Sequence, residues 1–83
     1  MAKLRDQLVM LADAINKHSE QIDKPAEALR RVQQTAEEIS SGNADRSVVL
    51  NYLDRILSLA GKVHPIVQAI SAIKTLMPVV FGS

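Results

Sequence analysis

The chain has no cysteine and no tryptophan, and Tyr52 and Phe81 are its only aromatic residues. Without thiols it has neither a disulfide nor a thiolate metal site. That fits a reducing compartment, and the charged opening Met1-Ala2-Lys3-Leu4-Arg5-Asp6 stands where a signal peptide needs an unbroken apolar core. The expected location is therefore the cytoplasm. Charge of one sign is also lacking: 10 Lys and Arg face 9 Asp and Glu, a net charge of +1. Phosphate binding supplies most of the affinity of nucleic-acid binders and leaves a basic face on them. Here Arg30-Arg31 is the only adjacent basic pair, and Glu27, Glu37 and Glu38 lie close by. A nucleic-acid partner is not expected.

What is present is aliphatic. The chain is short enough, at 83 residues, to be read as one domain over 1–83. A domain of this size buries only about 60–65% of the surface its unfolded chain exposes. Three glycines and three prolines leave few breaks. Leu, Ile, Val and Ala in such a chain favour helices packed on helices.

Four helical segments follow from the periodicity. In residues 2–22, Leu4, Leu8, Leu11, Ile15, His18 and Ile22 recur at steps of three and four and share one stripe. Pro25 suits the first turn of a second helix over 25–40. Its inward stripe is Ala28, Leu29, Val32, Ala36 and Ile39, with a polar face opposite. Gly42 can adopt the left-handed conformation that ends a helix, and Asn43 or Asp45 can cap the next. The third helix spans 44–62, with Val49, Leu53, Ile56, Leu57, Ala60 and Val63 inward. Gly61 and Pro65 together mark a turn, and the fourth helix spans 65–77, where Pro78 stops or bends it. Short connections make successive helices antiparallel. The expected fold is all-α, an antiparallel up-down-up-down four-helix bundle.

Candidate chemistry is sparse. His18 and His64 are the only histidines, one on an apolar stripe and one at a helix boundary. A core-edge and a turn histidine account for them better than a metal site, which needs several converging ligands. Glu37 and Glu38 point about 100° apart on a helix and do not converge on one atom. Ser47, Ser58 and Ser71 lack a nucleophile-elbow setting, and no glycine-rich phosphate loop is present. No catalytic, metal-binding or cofactor-binding residue is assigned, and the chain is not expected to be an enzyme.

The unusual signal is the stretch from Pro65 to Phe81, interrupted only by Gln68, Ser71, Lys74 and Thr75 among Ile, Val, Ala, Leu, Met and Phe. Projected as a helix, His64, Gln68, Ser71 and Thr75 form one narrow polar arc, with Lys74 at its edge. The remaining arc exceeds what one face of a bundle helix requires. The third helix adds Val48 and Leu59 on a flank, and the first adds Val9 and Met10 off its main stripe. The surplus is explained by burial within one chain, by a protein partner, or by a membrane surface. The stretch is short for a spanning helix, which needs about 20 apolar residues.

Glu27-Ala28-Leu29, Glu37-Glu38-Ile39, the turn Gly42-Asn43-Ala44-Asp45-Arg46-Ser47, the spacing Leu50, Leu53, Ile56 and the apolar helix ending at Gly82 follow one another in order. This pattern, over about Pro25 to Gly82, resembles the small helical effector-associated modules of multidomain bacterial signalling and defence proteins. The resemblance implies a death-domain-like adaptor that recruits a partner by like-with-like contact. The functional expectation is a non-catalytic protein–protein interaction module, self-associating or adaptor-like, with a homodimer as the default. Its contact residues are expected to be Val48, Leu59, Met77, Val80 and Phe81, on the third and fourth helices. The alternative is a membrane-active bundle that inserts its C-terminal helix.

Overall fold

The computed structural model describes the backbone of residues 2–81 and the side chains of residues 4–78. Four helices follow one another: α1 (Ala2–Lys17), α2 (Pro25–Ser40), α3 (Arg46–Ala60) and α4 (His64–Phe81), with a short 3₁₀ turn at Ser19–Gln21. Each helix packs chiefly on two neighbours, α1 on α2 and α4, and α3 on α2 and α4, with the α2–α3 contact the most extensive. The result is an all-α four-helix bundle, 36 Å long and 18 Å across. Its neighbours are antiparallel. Glu27 at the start of α2 bonds to Arg55 near the end of α3, and Asp54 of α3 pairs with Lys74 of α4.

The core is aliphatic throughout. Leu4, Leu8, Leu11 and Ile15 of α1 meet Ala28 and Val32 of α2, Val49, Leu53, Ile56 and Ala60 of α3, and Ile66, Ile70, Ile73 and Met77 of α4 in one buried cluster. Thr35 is its one buried polar side chain among the described residues. The Thr35 hydroxyl donates to the Arg31 carbonyl at 2.7 Å, so it enters the apolar interior already satisfied.

The turns explain where the helices stop. The first helix, expected to reach Ile22, ends at Lys17 instead. His18 departs from helical geometry at φ −112°, ψ 25°, and the 3₁₀ turn carries the chain on to Ile22, which is still buried. Between α2 and α3, Gly42 takes the left-handed conformation at φ +83°, and an added Cβ would meet nothing within 4 Å. A side chain there would therefore face a conformational penalty and no steric one. Asp45 caps α3, its Oδ1 accepting from the Ser47 N–H at 2.8 Å. Its own N–H donates to Glu38 Oε2 at 2.9 Å, which ties the turn back to α2. Helix α3 therefore begins at Arg46, two residues later than expected, and ends at Ala60, two earlier. Gly61 is not left-handed (φ −64°), and its role is steric. A Cβ would lie 2.8 Å from the Leu57 carbonyl oxygen.

At the other end the sequence expectation needs correcting. Helix α4 does not stop at Met77 but runs through Pro78 to Phe81. Proline removes one backbone donor and crowds the carbonyl four residues earlier, that of Lys74. Pro78 is exposed, so the break in the hydrogen-bond ladder falls on the wet side of the helix, where water can satisfy the freed carbonyl.

Candidate interaction surface

The apolar surplus of α4 is largely absorbed inside the bundle. Ile66, Ile70, Ile73 and Met77 face the core, and Val67, Ala69, Ala72 and Leu76 lie half-buried on the two shoulders. A helix in a ring of four touches a neighbour on each side, so its sheltered arc is wider than a single face. Exposed among the described residues of α4 are the polar arc of His64, Gln68, Ser71 and Thr75 and the two prolines, Pro65 and Pro78, and His64 and Gln68 hydrogen-bond to each other at 3.0 Å. Lys74 leans over the α3 shoulder to reach Asp54 at 3.1 Å.

Three of the five expected contact residues fall on described side chains, and one is misplaced outright. Met77 is 1% exposed and belongs to the core, so it cannot meet a partner while the bundle is folded. Leu59 is half-buried and packs against the core. Val48 is half-buried as well. At about 100° per residue, Val48 and Leu59 share a shoulder with Arg55. The bond from Arg55 to Glu27 shows that this shoulder faces α2. The side chains of Val80 and Phe81 lie outside the described residues.

The exposed large apolar side chains among the described residues are both on α1: Val9 at 54% and Met10 at 58%. They sit on the outer face of the helix, opposite Leu4, Leu8, Leu11 and Ile15, with Arg5, Asp6, Asp13, Asn16 and Lys17 around them. An open groove runs along each side of this part of α1. Arg5, Asp6 and Leu8 with Ala36, Ile39, Ser40 and Gly42 line the one against α2. Asp6 and Gln7 with Ala72, Thr75 and Leu76 line the one against α4. The two grooves meet across Asp6, one turn before Val9 and Met10. This ridge between two furrows is the feature that the total hydrophobicity of α4 overshadowed in the sequence. The signal for it was present as two apolar residues off the stripe of α1.

Electrostatics elsewhere are structural. The Arg55 guanidinium, bonded to Glu27 at 2.7 Å, holds the Glu27 carboxyl below its ordinary value of 4.5. Among the described residues no three His, Cys, Asp or Glu side chains converge to hold a metal ion. Among them, too, no helix is long and apolar enough to cross a membrane. Compared with protein-family models, with curated proteins and with solved structures, the chain matches none.

Proposed function

We propose that the chain is a non-catalytic protein–protein interaction module of the cytoplasm, self-associating or adaptor-like, that works through the outer face of α1. The observation that carries this reading is the exposure of Val9 and Met10 side by side, on a ridge flanked by two grooves. Unbranched methionine adapts to irregular partner surfaces, which suits it to such a position. Apolar side chains rimmed by charge are the usual composition of a contact patch. The cytoplasmic part rests on the absence of cysteine. The resemblance to adaptor modules points the same way, although the contact face is now α1 and not α3 and α4.

A photo-crosslinking residue placed at Met10, and separately at Gln33 on the polar face of α2, tests the reading in cells. Discrete protein adducts are expected from position 10 and none from position 33. Equal labelling from both positions, or none from either, would refute it. Binding of the purified chain to liposomes without protein adducts would favour insertion of α4 instead.

A further inference from the structure

The outer face of α1 carries its own charge complement. Arg5, Val9 and Asp13 are spaced four apart and form one row along the helix, and all three are exposed. Arg5 and Asp13 are about 12 Å apart along the axis, too far to pair with each other. Neither forms an ion pair with another described residue. A row with a cation at one end, an anion at the other and an apolar side chain at its centre matches itself when reversed.

We infer that the occupant of this face is a second copy of the chain, docked across a two-fold axis at Val9 with the two rows antiparallel, so that Arg5 of each protomer faces the partner's Asp13. This deepens the interaction reading above and rests on it. A two-fold interface requires that residue i meets j and j meets i, and the row satisfies that in a single register. Helices crossing at about −50° bring their four-spaced rows alongside each other, the commonest packing class in globular proteins. Met10, about 100° round the helix from Val9, then lies at the edge of the contact, on the same side of the two-fold axis as the partner's Met10. Other arrangements are worse. With the axis between Val9 and Met10, Asp6 meets the partner's Asp13, and a parallel pair sets Asp6 on Asp6 and Asp13 on Asp13. The contact is one helix face and falls below the roughly 1,200 Å² of a standard stable interface, so the dimer is a weak one.

Charge reversal tests the pairing. Analytical ultracentrifugation of the whole chain, up to about 1 mM, the range where such weak contacts are populated, follows the mass from one chain toward two. Arg5→Asp creates two Asp–Asp contacts and Asp13→Arg two Arg–Arg contacts, so each variant alone is expected to dimerise at least about tenfold more weakly. Mixed in equal amounts, the two variants place Asp opposite Arg at both ends and are expected to recover dimerisation as heterodimers. Both substitutions put the new charge where the helix dipole favours it, so helicity by circular dichroism should be kept. A wild-type chain that stays monomeric overturns the inference, as do variants that dimerise undiminished or a mixture that does not recover. Adducts from position 10 to a different protein, alongside a monomeric wild type, would sink the second copy while leaving the interaction reading intact.

Discussion

Helices α4 and α1 make opposite use of apolar residues. Helix α4 is by far the more hydrophobic, yet none of its described Ile, Val, Leu, Ala or Met side chains is exposed. Helix α1 is more polar overall and still sets Val9 and Met10 in water. What decides exposure is the angle of each residue to the bundle axis, not the number of apolar residues in a segment. A helix with neighbours on both shoulders shelters a broad arc, and the described aliphatic side chains of α4 all fall within it. In α1 the stripe that faces the core is complete without Val9 and Met10, so these two residues do no work in holding the fold.

Substitutions can sharpen or break this contrast. The largest effect is expected from Ile73→Ala in α4, whose side chain is fully enclosed. Loss of transfer energy plus the cavity left behind should cost about 2–5 kcal/mol, read from the urea midpoint. A cost below about 1 kcal/mol would mean that α4 is not the committed core helix described above. Leu76→Ala, on the half-buried shoulder toward α1, should fall between the extremes at about 1–2 kcal/mol. Val9→Ser and Met10→Ser should leave stability within about 0.5 kcal/mol, since neither side chain is sheltered in the single chain. A large loss from either would erase the distinction between the two helices.

The smallest effect lies on the seam between α2 and α3. The Glu27 carboxyl titrates below 4.5 in the folded chain because Arg55 bonds to its charged form. A group with a depressed folded value stabilises above its unfolded value and loses that contribution as pH falls through the folded one. The effect is therefore confined to pH below about 4.5 and should be slight for a solvent-facing pair. Titration by NMR should show the Glu27 carboxyl rising toward its ordinary value in Arg55→Ala. An unchanged titration would show that the bond is not populated in water.

Much of the architecture was legible in the sequence because it is written in spacing. The steps of three and four from Leu4 to Ile15, the proline at the start of α2 and the Gly42–Asp45 turn each carry a local physical cause. The errors arose where local and tertiary effects compete. His18 ended α1 early although Ile22 kept its place in the core. Pro78 failed to end α4 because its freed carbonyl faces solvent. The surface was the least legible part. Met77 and Leu59 looked surplus only when α4 and α3 were considered one at a time. Their shelter comes from helices distant in sequence, which periodicity within a segment does not reveal. Val9 and Met10 departed visibly from the stripe of α1 but weighed little beside the apolar run of α4.

Asp54 and Arg55 are consecutive on α3 and carry opposite charges, and each reaches a different neighbour, Lys74 and Glu27. As solvent-facing pairs they add little to stability. Their value lies in chirality. Four antiparallel helices joined by short links can circulate clockwise or anticlockwise with the same residues inside. Exchanging the places of α2 and α4 would bring Asp54 toward Glu27 and Arg55 toward Lys74, turning two attractions into two repulsions. Two neighbouring side chains thus discriminate between looking-glass versions of the bundle that an aliphatic interior, indifferent to hand, would accept almost equally.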